Sequence, residues 1–259
     1  MTSILFDKIE GIGKITLNRP EVYNSFNREM ALALQDRLDE CVADDHIRAV
    51  MILGSGNAFS AGQDLNEVTN PDENPGFQVI LHEHFNPIIR RIREAKMPVI
   101  AAVNGVAAGA GANIALACDI VIATESASFI QAFSKIGLIP DSGGTFFLPR
   151  LVGFQKALAI TLLGDKITAQ EAAQMGMIYK AVADHDFERY IWHIAHTLAA
   201  MPTKGLWLTK RAFNKSLNNS LNEQLDFEEK LQIKAGETED YREGVAAFLE
   251  KRPPLFTGK

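Results

Sequence analysis

Short, nearly uninterrupted apolar runs, each followed by a loop rich in glycine and alanine, constrain this chain most strongly. Residues 49–53 (AVMIL), 99–103 (VIAAV) and 119–123 (DIVIA) are such runs, and segments with helical spacing lie between them. A run that is apolar on both faces is typical of a strand buried in a parallel sheet. Strands of this kind that alternate with helices predict an α/β fold with parallel pairing.

The ends of the chain follow different patterns. Strands are expected over residues 4–10 and 13–17, and an amphipathic helix is expected after the N-cap residue Asn27. A helix over residues 77–95 should kink at Pro87. From residue 186 to residue 251 the pattern is helical throughout, and its apolar faces must pack on the core or on another subunit. We therefore expect an oligomer.

The charge and the cysteines limit the classes of partner and compartment. A formal net charge of -6 offers no basic footprint for nucleic acid or for an anionic membrane. The longest apolar tract, residues 98–123, contains Asn104, Asn113 and Asp119, and it predicts buried strands and a buried helix rather than a membrane span. The charged N-terminal residues argue against a secretory signal, and the two cysteines lack CxxC spacing. We expect a cytoplasmic protein.

Two loops that follow predicted strands have the composition of a ligand-binding edge. They are residues 58–65 (AFSAGQDL) and residues 104–113 (NGVAAGAGAN). Glycine at the end of a strand lets backbone N–H groups face a crevice, and the second loop enters a helix whose first N–H groups can stabilise an oxyanion. A tight turn would explain the first loop equally well, and close helix packing would explain the second.

Asp141 is the only carboxylate in residues 136–153 (IGLIPDSGGTFFLPRLVG). The Pro-Asp-Ser-Gly sequence is typical of a turn. A carboxyl group among apolar residues such as Phe133, Ile139 and Phe146 would instead have a raised pKa and could carry a proton. The residues by themselves leave both interpretations open.

Other catalytic and metal-binding motifs are not completed. The Gly109-Ala110-Gly111 sequence lacks the third glycine of a dinucleotide-binding loop, Ser60 lacks the preceding glycine of a nucleophile elbow, and no P-loop is present. His82 and His84 are two residues apart on a predicted helix and cannot hold one ion together. We predict no metal site.

The segments "AFSAGQDL", "NGVAAGAGANIALACDIVIA" and "GLIPDSGGTFFLPRLVG" resemble the enoyl-CoA hydratase/isomerase (crotonase) family in order and spacing, and the likeness extends over nearly the whole chain. The resemblance implies a crotonase-like spiral of repeated ββα units in residues 1–195. It also implies a helical C-terminal trimerisation region in residues 196–259, commonly in a dimer of trimers. The implied substrate is a coenzyme A thioester, with no separate cofactor.

The resemblance also assigns roles to residues. The backbone N–H groups of Gln63 and Ala110 match the donors that polarise the thioester carbonyl, and Asp141 matches an acid/base aspartate. Hydration is not expected, because Asn113 and Phe133 stand where the hydratases have glutamates. Contacts to the substrate or to coenzyme A are expected from Ala61, Gly62, Asp64, Leu65, Gly109, Asn113, Phe133 and Lys251.

The sequence around Asp141 is most similar to family members that convert ring 1,2-epoxyphenylacetyl-CoA to oxepin-CoA in phenylacetate breakdown. One carboxylate suits isomerisation, because it can remove a proton and return it to another carbon without water. The alternatives are a cis-3 to trans-2 enoyl-CoA isomerase of fatty-acid oxidation and a non-catalytic acyl-CoA- or RNA-binding protein. An NAD oxidoreductase is disfavoured by the incomplete glycine motif.

Overall fold

The computed structural model describes residues 2–69 and 74–259, and its strands form two sheets. The first sheet contains, in spatial order, β1 (Ile4–Ile9), β2 (Ile12–Leu17), β3 (Ala49–Gly54), β5 (Val99–Val103), β7 (Ile120–Thr124) and β10 (Lys180–Val182). The second contains β4 (Ala58–Ser60), β6 (Val106–Ala108), β8 (Ser128–Ile130) and β9 (Lys166–Thr168). The pairs β1-β2 and β8-β9 are antiparallel, and all other pairs are parallel, as the apolar runs predicted.

The α-helices of the described residues lie between and after these strands. They are α1 (Arg28–Ala43), α2 (Leu65–Thr69), α3 (Gly76–Val79), α4 (Asn86–Glu94), α5 (Ala110–Ala117), α6 (Gly144–Val152), α7 (Phe154–Leu163), α8 (Ala169–Gln174), α9 (Asp184–Ala200), α10 (Thr203–Ser216), α11 (Leu221–Gly236) and α12 (Glu239–Glu250). Asn27 caps α1 as predicted, because its side chain accepts a hydrogen bond from the Met30 N–H. The four last helices confirm the helical C-terminal region.

Each of the strands β3, β5 and β7 lies in the first sheet and is followed by a short strand of the second sheet. This repeated step produces the stacked units of a spiral, so the predicted fold is confirmed. The chain turns sharply where it passes from a strand of the first sheet to a strand of the second, and we call these positions corners. A Cβ atom on Gly54 would lie 2.8 Å from the Phe59 Cα atom, and one on Gly105 would lie 2.6 Å from the Asn57 carbonyl carbon. Glycine is required at both corners because no side chain fits there.

The first sheet is covered on both faces. One face belongs to the main core, with α1, α4 and α5, while α9 packs Phe187, Ile191, Ala195 and Ala199 on the other face. The predicted division between residues 195 and 196 therefore lies inside a single helix whose residues on both sides contact the same cluster. The division into a core and an oligomerisation region remains a prediction.

The segment before Pro87 is a π-helix, Ile80–Phe85, between α3 and α4, rather than a simple kink in one helix. Proline has no N–H to donate to the carbonyl four residues earlier, which is that of Glu83. The Gln35 amide donates to this carbonyl at 2.7 Å and to the His84 carbonyl at 3.1 Å. The widened turn therefore keeps its carbonyl groups hydrogen-bonded.

The last helices expose several large apolar side chains. Leu221 is 74% exposed, Phe248 is 83% exposed and Leu249 is 74% exposed. The buried side chain of Asp240 holds the end of the chain by accepting hydrogen bonds from the Thr257 and Gly258 N–H groups. Across residues 2–69 and 74–259, no helix combines the length and the apolar character needed to span a bilayer.

Candidate active site

The loop after β4 presents a free backbone N–H group. Phe26 pairs with Gln63 in a parallel bridge, in which the Phe26 N–H donates to the Gly62 carbonyl (2.7 Å) and the Asp64 N–H donates to the Phe26 carbonyl (2.9 Å). In a parallel bridge of this pattern, both backbone hydrogen bonds of Phe26 go to the residues on either side of Gln63. The N–H group of Gln63 itself therefore points away from Phe26. It has no acceptor within the described part of the chain.

The loop after β6 presents a second free N–H group. Gly109 has φ 52° and ψ -127°, a conformation that residues with a Cβ atom rarely adopt, and α5 begins directly after it. The first helical hydrogen bond is donated by the Asn113 N–H to the Gly109 carbonyl (3.1 Å). The Ala110 N–H is thus at the positive end of the helix without an acceptor among the described residues.

The two loops are in close contact. Gly62 has φ 91°, and a Cβ atom there would lie 2.9 Å from the Ala108 carbonyl oxygen and 3.2 Å from the Ala110 nitrogen. Ser60 holds the first loop in place, because its hydroxyl donates a hydrogen bond to the Asn24 carbonyl (2.8 Å) and accepts one from the Gly62 N–H (3.1 Å). The small residues therefore serve both close packing and the placement of two N–H donors on neighbouring loops.

Asp141 lies in the turn that begins α6, so the turn interpretation of its sequence is correct. Its carbonyl accepts hydrogen bonds from the Gly144 N–H (2.8 Å) and from the Asn113 side-chain amide (2.9 Å). Ser142 (φ 50°) and Gly143 (φ 76°) both have left-handed backbone conformations. The Ser142 hydroxyl donates to a carboxylate oxygen of Asp141 at 2.8 Å. The Asp141 side chain is half-buried.

Burial raises the pKa of the Asp141 carboxyl above its usual range, and the hydrogen bond from Ser142 opposes part of this effect. The direction agrees with the prediction, but one of the expected causes is wrong. Ile139 is 80% exposed and cannot shield the carboxyl from water, whereas Phe133 is buried and Phe146 is half-buried. A carboxyl group with a raised pKa is better able to accept and return a proton near neutral pH.

Comparison of the whole chain with known proteins identifies its family. The family model described as enoyl-CoA hydratase/isomerase matches residues 7–259. The chain belongs to the enoyl-CoA hydratase/isomerase family. It is 48% identical to the 1,2-epoxyphenylacetyl-CoA isomerase of Escherichia coli strain K12, over 100% of both chains. It is 47% identical to a protein of Rhodobacter capsulatus named "Probable enoyl-CoA hydratase", over 99% of this chain and 98% of the relative.

A solved structure from the same family confirms the fold. The enoyl-CoA hydratase of Bacillus anthracis superimposes with a TM-score of 0.92 at 33% identity, covering 99% of this chain and 100% of the other. Within this family fold, the structure brings Gly62, Gln63, Gly109 and Ala110 together, and Asn113 joins them to the turn of Asp141. Their roles toward a ligand remain predictions.

Asn113 and Phe133 are not open to solvent. Asn113 is fully buried in α5, where its amide nitrogen donates to the Asp141 carbonyl and its amide oxygen accepts from Gln131 (2.8 Å). The ring of Phe133 is buried near Gly109, where an added Cβ atom would lie 3.8 Å from the ring. Gln131 was not among the residues predicted from the sequence, and the available signal was its polarity directly after an apolar strand.

The remaining predicted contact residues lie at different depths. Ala61 and Leu65 are exposed at the mouth of the first loop, next to the buried Gly62. Lys251 is exposed at the end of α12, in a left-handed conformation, and makes no side-chain hydrogen bond with the other predicted residues in the described structure. A role of Lys251 toward coenzyme A remains a prediction.

Asp64 has an internal structural role, whereas the family resemblance predicted a contact to the substrate or to coenzyme A. Its carboxylate bonds to the Arg19 guanidinium at 2.9 Å and accepts from the Asn66 N–H at 3.0 Å. Its backbone carbonyl accepts from the Gln63 side chain at 3.3 Å and from the Glu67 N–H at 3.2 Å. Every polar group of Asp64 thus has a partner inside the protein, which leaves little for a ligand to bind.

Replacing Asp64 by Asn should therefore reduce stability rather than affinity for coenzyme A. The substitution leaves the largely buried Arg19 cation without its anion, and we expect a loss of about 2 kcal/mol, below that of a fully buried pair because Arg19 retains some solvent. Urea denaturation measures the change. In the control Asp7→Asn, which breaks an exposed pair with Lys14, stability should change by less than about 0.5 kcal/mol. Weaker coenzyme A binding at unchanged stability would show that Asp64 contacts the ligand.

The histidines of residues 82–84 have different surroundings. His84 is buried, and its Nε2 atom lies 3.1 Å from the Arg28 guanidinium, while His82 is exposed. Across residues 2–69 and 74–259, no cluster of three or more His, Cys, Asp or Glu side chains could hold a metal ion.

Proposed function

We propose that this chain is an acyl-CoA isomerase that converts ring 1,2-epoxyphenylacetyl-CoA to oxepin-CoA. The observation that carries the proposal is the placement of one half-buried carboxylate with a raised pKa, Asp141, in a turn that accepts a hydrogen bond from Asn113 of α5, the helix that begins with the free Ala110 N–H. The name of the 48% identical relative from Escherichia coli supports the choice of substrate.

The backbone N–H groups of Gln63 and Ala110 would bind the thioester carbonyl oxygen. As a proton leaves the adjacent carbon, negative charge develops on this oxygen, and each donor contributes about 3 kcal/mol to its stabilisation. Asp141 removes the proton from the side-chain α-carbon while the epoxide ring expands to the oxepin. The carboxylic acid then returns the proton to a carbon of the seven-membered ring. The reaction moves one proton and the double bonds, and it consumes neither water nor a cofactor.

Hydration is a weaker candidate, although one relative is named a probable hydratase. Addition of water requires a base that activates it. The positions that resemble the hydratase glutamates carry Asn113 and Phe133, and neither side chain can accept a proton near neutral pH. The nearby carboxylates of Asp64 and Glu67 are bound to Arg19 and to the Gln63 amide. Asp141 is therefore the group best suited to carry protons in this site.

A cis-3 to trans-2 shift of the double bond in a linear acyl-CoA is the second candidate. It needs the same two N–H donors and the same single carboxylate, because the proton again moves between two carbons of one conjugated system. One protein could catalyse both isomerisations.

Incubation of the protein with each substrate class in deuterated water tests the proposal. A β,γ-unsaturated acyl-CoA and ring 1,2-epoxyphenylacetyl-CoA are followed separately by NMR, which reports the position of the double bonds and deuterium at the α-carbon. Conversion of the epoxide supports the first proposal, and conversion of the linear substrate alone supports the second. Formation of a hydroxyacyl-CoA would indicate a hydratase. Binding without conversion or exchange would indicate a non-catalytic acyl-CoA-binding protein.

We also propose that the protein forms a homotrimer or a dimer of trimers and acts in the cytoplasm without nucleic-acid or membrane partners. The exposed apolar side chains of Leu221, Phe248 and Leu249 support the self-association. The net charge of -6 supports the absence of nucleic acid. Light scattering coupled to size-exclusion chromatography measures the oligomeric state, and a monomer at micromolar concentration would contradict this assignment.

A further inference from the structure

Two buried amide side chains connect the second sheet to the turn of Asp141. Gln131, directly after β8, is 1% exposed, and Asn113 in α5 is 0% exposed. The Gln131 amide nitrogen donates to the Asn113 amide oxygen at 2.8 Å, and the Asn113 amide nitrogen donates to the Asp141 carbonyl at 2.9 Å. The Gln131 amide oxygen has no partner among the described residues. Both hydrogen bonds therefore run in one direction, toward Asp141.

The direction is fixed by the last acceptor. A backbone carbonyl only accepts hydrogen bonds, so Asn113 must face Asp141 with its amide nitrogen. The Asn113 oxygen then faces Gln131, which must donate. A side chain at position 131 that can only accept hydrogen bonds would favour the opposite orientation of the Asn113 amide. In that orientation the Asn113 amide oxygen would lie against the Asp141 carbonyl oxygen.

The turn that receives this hydrogen bond has an uncommon conformation. Ser142 has φ 50°, which is unfavourable for a residue with a Cβ atom and persists only where the surroundings enforce it. The Asn113 amide also fills the space beside α6, because a Cβ atom added to Gly144 would overlap it. The amide thus contacts the turn both at the Asp141 carbonyl and at Gly144.

We propose that Asn113 and Gln131 are positioning residues that set the orientation of the Asp141 carboxyl toward the substrate carbon. The proposal rests on the proposed function for its effect on catalysis. Neither amide exchanges a proton with the substrate. Because they act on the geometry of proton transfer rather than on the thioester, their loss should lower kcat and leave KM nearly unchanged.

Three variants test the proposal in steady-state isomerisation assays. In Asn113→Ala, kcat should fall by about 100-fold with little change in KM, as expected for a catalytic group displaced by about 1 Å. At a pH high enough to ionise its carboxyl, Gln131→Glu should lose nearly as much, because a carboxylate cannot donate to the Asn113 oxygen, whereas a protonated carboxylic acid can. Gln131→Met, which neither donates nor accepts strongly, should retain a larger share of kcat than Gln131→Glu. Thermal unfolding of each variant checks that the fold is intact.

Hydrogen–deuterium exchange of residues 138–146, followed by mass spectrometry, tests the same hydrogen bonds without any substrate. The turn should exchange faster in Asn113→Ala and in Gln131→Glu than in the wild-type protein. If the wild-type protein catalyses no isomerisation, the proposed function is wrong, and this exchange still decides whether the amides hold the turn. Three results would overturn the proposal. They are an unchanged exchange rate of the turn, equal kcat values for the two Gln131 variants, and a loss of kcat/KM that comes from a rise in KM.

Discussion

The Asp141→Asn variant is expected to lose isomerase activity while its fold becomes more stable. General acid–base catalysis contributes about 10²- to 10⁴-fold to a rate, and we expect kcat to fall by this factor because asparagine cannot accept the α-proton. The amide oxygen of asparagine can still accept the hydrogen bond that Ser142 donates to the carboxylate. The turn should therefore remain intact.

The gain in stability follows from the direction of the pKa shift. Burial raises the pKa of Asp141 in the folded chain above its value in the unfolded chain, about 3.9. The folded state therefore binds more protons between the two pKa values, and the wild-type protein loses stability as the pH rises through the folded pKa. A neutral asparagine removes this loss. The advantage of the variant should be largest near pH 7 and should shrink as the pH falls through the folded pKa.

Urea denaturation from about pH 4, near the pKa of the unfolded chain, to pH 7.5, together with the isomerisation assay, measures both effects. Asp165→Asn is a suitable control, since Asp165 is exposed and makes no hydrogen bond through its side chain in the described structure. It should change neither activity nor stability. If Asp141→Asn retained wild-type turnover, another group would have to carry the proton. If it lost both activity and stability, the carboxylate would have a structural role as well.

The sequence predicts the centre of the first sheet well, because the central strands are apolar on both faces and both faces are in fact covered. Strands β3 and β5 begin at the predicted residues, with α9 on one side and the main core on the other. The second sheet is harder to predict. Strands β4, β6 and β8 have three residues each, which is too short for a periodic pattern. Their partners are determined by the spiral, and the spiral was expected only from the family resemblance.

Local sequence predicts two loops that can expose N–H groups, and the family resemblance names Gln63 and Ala110 within them, but neither reveals the surroundings of Asp141. The predicted loops present their N–H groups because glycine conformations and a helix start are encoded within a few residues. The burial of Asp141 depends on residues far along the chain. Ile139, two positions away, is exposed, whereas Asn113, 28 positions away, holds the carbonyl. The ion-pair partner of Asp64, Arg19, is 45 positions away and was likewise not apparent from the sequence.

The Ala110→Pro variant is expected to remove one oxyanion donor without breaking α5. Ala110 is the first residue of the helix, and proline is well tolerated there because the first N–H has no helical acceptor. The preceding Gly109 has φ 52° and ψ -127°, the mirror image of the extended conformation that residues before proline prefer. Glycine adopts such mirror-image conformations readily. The helix and its contact to Asp141 should therefore be preserved.

In this variant the Cδ atom of proline replaces the amide hydrogen that would face the thioester oxygen. Removal of one such donor costs about 10²- to 10³-fold in kcat, and KM should change less, since the donor acts most strongly on the charged intermediate. Ala110→Gly is the matched control, because it keeps the N–H group and should remain close to wild type in turnover. Unfolding curves check that the fold of both variants is intact. If the proline and glycine variants then have equal turnover, the Ala110 N–H does not bind the oxyanion. In that case Gln63 would have to act with a donor from another part of the loop.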